Sequence, residues 1–453
     1  MVEPCIGRSF LLESDSGTKM MFVKARTSKL SKPTFVAVFF LLYSGIPFVI
    51  IGLDAGEYFG RFICNIIILL GFLYYIVKWV YGERRMSKFH IASLFLYAYC
   101  FSVSLVSNTF IFGYGLSEWL GQFVLMSILL TIFCFDAFGL TEDDTLLGLV
   151  IASVLISFLV FYDSLFQLSF LDIYTRGSNI SAESRKVAVL KLEGTLTAAL
   201  LFTIFFSVGK IGGITRAIYI ILFLVVIFTT VFISESRVVL FSLFGSIVAF
   251  CALYINGMSR IIAIYIGSIL SFIIIYFELS PQVNRLFSTD AYNYLNTDVG
   301  LLFRVYEYEY FEQLFSRTGG FGFGVMSLSP NNSNPLSWAL HKGGYVYGTG
   351  SYGLAQSDTG IYASLHQFGY AGFLMVVMMS LYMALVFLRV RADRIVKWDY
   401  RILGILILIL LLNPVPYNFF TLEWSGMAGN VLWFCAMALK RNSDEFIKSS
   451  KAG

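Results

Sequence analysis

About twelve apolar runs, each near the roughly 20 residues needed to cross a hydrocarbon core, fill most of this chain. They span residues 34–53, 61–80, 89–108, 118–138, 145–165, 189–209, 216–234, 238–257, 261–280, 359–388, 402–420 and 424–440. Backbone groups inside a bilayer have no water to bond, so such runs must fold as helices that satisfy themselves. Only 13% of the 453 residues are charged and 58% are hydrophobic. That balance fits a surface facing lipid, where an ion is costly. The expected fold is an all-α polytopic membrane protein of about 12 transmembrane helices. Asn413-Pro414 and Pro416 interrupt the last two runs. Proline is tolerated there if neighbouring helices satisfy the freed carbonyls.

Orientation follows from Lys and Arg in short loops, which stay on the cytoplasmic side. The N-terminal arm carries Lys19, Lys24, Arg26, Lys29 and Lys32, and the second loop carries Arg84, Arg85 and Lys88. The loop before 402 carries Arg389, Arg391, Arg394, Lys397 and Arg401, and the tail carries Lys440, Arg441, Lys448 and Lys451. With this span count all four fall on one side, so both termini are expected in the cytoplasm. Arg176, Arg185 and Lys186 dissent by falling outside, and an anionic ligand is one candidate to explain them.

The expected division is a cytoplasmic arm at 1–32, nine spans within 33–280, an outer segment at 281–357, three spans within 358–440 and a cytoplasmic tail at 441–453. The arm is too polar and too long to read as a cleaved signal. The outer segment is the one large polar interruption and the natural place for chemistry. A net charge of +4 is too small to imply a nucleic-acid partner. Of six cysteines, five lie in apolar runs and Cys5 in the arm, so neither a disulfide framework nor a zinc site is expected. No cofactor is implied. The absence of a visible internal repeat weakens a secondary-transporter reading.

Several residues could carry chemistry at the outer face. Arg237 sits at the junction of two apolar runs, either as a hairpin anchor paired with Glu235 or as a clamp on phosphate oxygens. The stretch from Leu301 to Phe315 reads as a short helix with Val305, Tyr308, Phe311 and Phe315 on one stripe. Arg304 opens it, and Arg317 follows its end, where a cation favours the helix dipole. Gly319-Gly320-Phe321-Gly322-Phe323-Gly324 comes next. It lacks the Lys-Ser/Thr of a nucleotide loop and suits a close-packed re-entry beside the membrane. His341 lies in the outer segment, and His366 about two turns into the run from 359; a lone histidine is more often structural. Asp358 stands at the outer start of that run, as a helix cap or as a carboxylate that accepts a hydroxyl proton. Tyr308, Trp338 and the other outer aromatics suit sugar stacking and equally suit a membrane belt.

In order and spacing these pieces resemble a family. Ser236-Arg237 opening a span, Arg304 leading an outer helix into Gly-Phe-Gly-Phe-Gly, and Gly369-Tyr370-Ala371-Gly372 are similar to the motifs of the O-antigen polymerase (Wzy) and ligase superfamily. The likeness covers about 234–375; the N-terminal half matches only in span layout. Where the ligases carry a His-Asn pair ahead of the final motif, this chain has Asp358-Thr359, which looks more like the polymerases.

The resemblance implies a metal-independent, GT-C-like glycosyltransferase of the bacterial inner membrane. It implies an undecaprenyl-diphosphate-linked oligosaccharide as substrate, a periplasmic outer loop with short helices, and a chain-length regulator protein as a possible partner. By position, Arg237 and Arg304 would contact diphosphate and Asp358 would stand where the ligase base stands. Arg176, Arg317, His341, Tyr308 and Trp338 are the expected substrate-binding residues. The alternatives are an O-antigen ligase and a lipid-linked oligosaccharide flippase. Asp136, Asp163 and Glu193, inside apolar runs, keep the flippase open.

Overall fold

The computed structural model describes residues 31–50, 56–166, 191–203, 213–232, 237–255, parts of 257–268, 308, 311–326, 340–342, 345–348, 361–389, 399–412 and most of 431–437. The described residues are predominantly helical. Helix α1 is Ser31–Tyr43, α2 Ile46–Ile50, α3 Gly56–Val80 and α4 Lys88–Leu105. A π-helical turn, Val106–Ile111, continues α4. Then come α5 (Leu116–Phe123), a 3-10 segment (Val124–Leu130), α6 (Thr131–Ala137), α7 (Glu142–Phe166), α8 (Lys191–Phe202), α9 (Gly213–Phe232) and α10 (Arg237–Tyr254). Residues 311–317 form α11. Strands β1 (Leu340–Lys342) and β2 (Tyr345–Gly348) form an antiparallel hairpin, which the sequence reading did not anticipate. Last come α12 (Ile361–Arg389) and α13 (Arg401–Leu412).

Three helical stretches, Phe59–Val80, Lys88–Ile111 and Ser364–Arg389, are long and apolar enough to cross a membrane. Their exposed faces agree. On α3 the residues Phe62, Ile66, Leu70, Leu73, Val77 and Val80 follow helical spacing and all stay uncovered. On α12 Leu374, Met378, Tyr382 and Leu385 do the same. Water would not tolerate stripes this large and continuous, whereas lipid would.

Several of the expected runs depart from a continuous α-helix. Ser44-Gly45 divides 34–53, with Gly45 at φ 75° and the Ser44 hydroxyl donating to the Leu41 carbonyl at 2.7 Å. The run 118–138 passes from α5 through the 3-10 segment into α6. Within that segment the Ser127 hydroxyl donates to Asn65 Oδ1 on α3 at 3.1 Å, and the Leu129 carbonyl accepts from Ser93 on α4. Such polar contacts join helices where lipid offers no hydrophobic drive between them. Small residues assist. Gly148 on α7 lies against Val36 and the Pro33 carbonyl of α1, where any side chain would collide.

The packing directions sort the helices into two ends. Helices α4 and α12 are antiparallel, because Phe89 meets Tyr382 (ring centroids 5.7 Å) while the Tyr99 hydroxyl reaches the Phe368 carbonyl (2.7 Å). Helices α10 and α13 are also antiparallel. The Arg401 guanidinium lies 4.1 Å from the Tyr254 ring, and Gly245 faces Ile409. One end gathers Glu142, whose carboxylate accepts from the Tyr400 hydroxyl at 2.5 Å, and Lys32, which donates to the Gly139 carbonyl at 2.5 Å. Arg401 pairs there with Asp399 at 2.5 Å. The C-terminal end of α12 joins this group through Phe387 stacked on Tyr400. The opposite end receives the end of α4 and the start of α12, and α10 opens at that end.

Candidate functional site

The site is assembled at that second end by a turn that enters between two helices. Residues 318–326 leave α11 and lie against the last residues of α4, its π-helical continuation and the first turns of α12. The glycines allow it. Gly369 adopts φ 73° and ψ −177°, so the path of α12 breaks there. The break frees carbonyls from the helix ladder, and the turn takes them. Phe323 N–H donates to the His366 carbonyl at 3.0 Å and Gly324 N–H to the Gln367 carbonyl at 2.7 Å. In return Tyr370 N–H donates to the Gly320 carbonyl at 3.3 Å. Gly322 faces Gly369 backbone to backbone. A Cβ on Gly322 would stand 2.5 Å from the Gln367 oxygen and 2.6 Å from Gly369 N. Both residues must therefore be glycine, for space and for positive φ.

The other wall is polar and buried. Val325 N–H donates to the Ser104 hydroxyl at 2.9 Å, and the Ser107 hydroxyl donates to the Gly322 carbonyl. Asn108 Nδ2 lies 2.8 Å from the Ser104 carbonyl, 3.1 Å from that of Val325 and 3.4 Å from that of Phe323. The π-helical turn serves this contact by bringing Ser104, Ser107 and Asn108 onto the turn. Backbone without regular structure is admissible at membrane depth only when protein satisfies it in this way.

Helix α11 adds the groups that could do chemistry. His366 is 1% exposed, and its Nε2 lies 3.0 Å from Glu312 Oε2, whose side chain is 46% exposed. A carboxylate can only accept, so the imidazole Nε2–H donates. Rings surround the histidine: Tyr308 at 5.5 Å, Phe315 at 5.7 Å and Phe311 at 6.4 Å between centroids. Arg317 is exposed at the end of α11, its guanidinium 6.0 Å from the Phe112 ring. Nearby, burial pushes the Tyr114 phenol up to about 12. The Glu118 carboxylate adds to that rise and Arg317 opposes it, so Tyr114 stays a neutral hydroxyl.

Of the residues expected from sequence, Tyr308 packs on His366 and Arg317 lies over Phe112 at this end. Arg237 opens α10 at the same end of the bundle, and His341 lies on β1; both are described by backbone position. Arg304, Asp358, Arg176 and Trp338 lie outside the described residues. Asp136, weighed as a transport carboxylate, lies 3.5 Å from Arg84 and 3.7 Å from His90. Asp163 is described by backbone position within α7, and Glu193 likewise within α8. Among the described residues no group of His, Cys, Asp and Glu could hold a metal ion. The Glu312–His366 pair was not foreseen. It joins residues 54 positions apart, and neither periodicity nor motif marks it. No family model matches the chain, and no curated protein matches it.

Proposed function

We propose that the chain is a surface-polysaccharide polymerase. It would transfer a growing glycan from undecaprenyl diphosphate to a sugar hydroxyl of a lipid-linked repeat unit. The observation that carries this reading is the docking of the Gly-rich turn onto the Gly369 break, at the end of the bundle where α10 opens with Arg237. Sequence blocks far apart in the chain thus lie at the same end of the bundle. The loop with Arg84 and Arg85 precedes α4, and Lys32 and Arg401 share the other end. By the rule that basic loops stay inside, the turn faces the periplasm of a bacterial inner membrane, with both termini cytoplasmic.

The chemistry needs little beyond charge and a base. The C1–O bond to the diphosphate breaks as the acceptor oxygen bonds to C1. The hydroxyl proton passes to a base, and undecaprenyl diphosphate departs as an anion. Guanidinium groups of Arg237 and Arg304 would stabilise the growing charge on the leaving diphosphate more than the ground state. Asp358, at the start of the run containing α12, would accept the proton. Arg176, Arg317, His341, Tyr308 and Trp338 would hold the glycan and its lipid headgroup, and a chain-length regulator is an expected partner.

Purified protein in lipid nanodiscs, given undecaprenyl-diphosphate-linked repeat unit, tests this directly. Wild type should build a ladder of products without added metal. Asp358→Asn should slow the initial rate by about 10²–10⁴-fold, the usual worth of a positioned base. A near-normal rate from that variant would reduce Asp358 to a helix cap.

A further inference from the structure

The proposed chemistry leaves one built feature unused, the Glu312–His366 pair. The two partners are unequally placed. Here the histidine is sealed at 1% exposure while the carboxylate stands 46% exposed. Among the described residues His366 is the one group bonded to that carboxylate, which is otherwise half-exposed. Tyr308, one helical turn before Glu312 in sequence, also packs on His366 and is 38% exposed as a residue. A fixed acceptor near a part-exposed aromatic side chain suits a pyranose, which offers hydroxyls that donate and C–H faces that stack. A carboxylate repels phosphate, so a diphosphate would not settle against it.

Resting on the polymerase reading, we propose that Glu312 and Tyr308 form a glycan subsite. It would grip sugar hydroxyls remote from the diphosphate, on the acceptor repeat unit. Glu312 is the binding group and His366 is a positioning residue, locking the carboxylate orientation from below. The Gly-rich turn links this subsite to the Gly369 break, since the carbonyl of His366 itself accepts from Phe323 N–H at 3.0 Å. The grip and the turn therefore share one anchor.

The test uses full-length protein in nanodiscs and, as probe, the host's own repeat unit as a free reducing oligosaccharide without lipid or diphosphate. Its Kd is read by calorimetry or saturation-transfer NMR. Glu312→Gln, nearly isosteric, should weaken binding by about tenfold to a hundredfold, since a hydrogen bond to a charged group is lost. Tyr308→Leu leaves Glu312 and His366 in place and should also weaken it about tenfold. His366→Phe keeps a ring among its aromatic neighbours but removes the donor, and it should fall with Glu312→Gln. His366→Gln restores an N–H and should recover part of the affinity. A merely structural role for His366 would spare Kd in the Phe variant. Equal Kd in wild type, Glu312→Gln and Tyr308→Leu would overturn the subsite and leave the polymerase standing. So would a wild type that polymerises lipid-linked substrate yet binds no free oligosaccharide. Failure of the wild type to polymerise would remove both proposals.

Discussion

Gly369→Val should strip the protein from the membrane fraction, leaving well under a tenth of the wild-type level. Two costs combine. A backbone at φ 73°, ψ −177° is close to glycine-only territory and carries about 1–3 kcal/mol of strain for any other residue. A Cβ there would also stand 2.6 Å from the Phe321 carbonyl carbon and 2.7 Å from the Gly320 oxygen. Relieving that collision means moving the turn and losing the three backbone hydrogen bonds that dock it on α12. Each is worth about 0.5–1.5 kcal/mol net, and more where water cannot replace it. The sum, about 2.5–7.5 kcal/mol, reaches the lower end of a whole domain's stability. Gly369→Ala should show the same defect more mildly. Gly82→Ala is the control. Gly82 also has positive φ, at 75°, but nothing lies within 4 Å of its Cβ position, so only local strain is added. Immunoblots of membrane fractions and proteolysis of the turn read the outcome. Wild-type levels of the valine variant would mean that the Gly369 break is not a required feature of the fold.

Arg304→Ala and Arg237→Ala should each abolish long polymer while the protein stays in the membrane at normal abundance. By sequence both arginines lie outside the apolar runs. Each removes a cation that, in the proposed reaction, meets negative charge growing on the leaving diphosphate. Loss of one such preorganised group costs about 10²–10³ in rate. Because each chain needs many additions before release, a drop of that size empties the long end of the ladder. Lysine at either position should rescue only partly, since a point charge cannot grip two oxygens in a plane. Glycan gels from complemented deletion strains give the readout. Normal ladders from both alanine variants would remove the charge-stabilising role.

Some of this molecule can be read from the sequence, and the reasons are local. Helices α3, α7, α9 and α10 fall within a few residues of the apolar runs that announce them, because lipid demands both length and composition. The turn at 319–324 announces its close approach through its glycines. The places where that reading falls short depend on partners distant in the chain. The 3-10 segment Val124–Leu130 sits between helices that engage its Ser127 and its Leu129 carbonyl, and no propensity in that stretch distinguishes it from a helix. Asn108 is ordinary in sequence, yet it bonds carbonyls more than 200 residues away. Gly369 reads as part of a motif, but its break in α12 is needed only because the turn must reach the carbonyls of His366 and Gln367. Glu312 and His366 are hidden for the same reason. One of three glutamates in a Tyr-Glu run and a lone histidine in an apolar run gain meaning only from their 3.0 Å contact.

The most direct measurement is the electrophoretic banding of surface glycan from a strain lacking this gene. A polymerase predicts single repeat units in place of the ladder, restored by the wild-type gene. An unchanged ladder would contradict the account. So would full-length polymer stranded on undecaprenyl diphosphate, which belongs to a ligase.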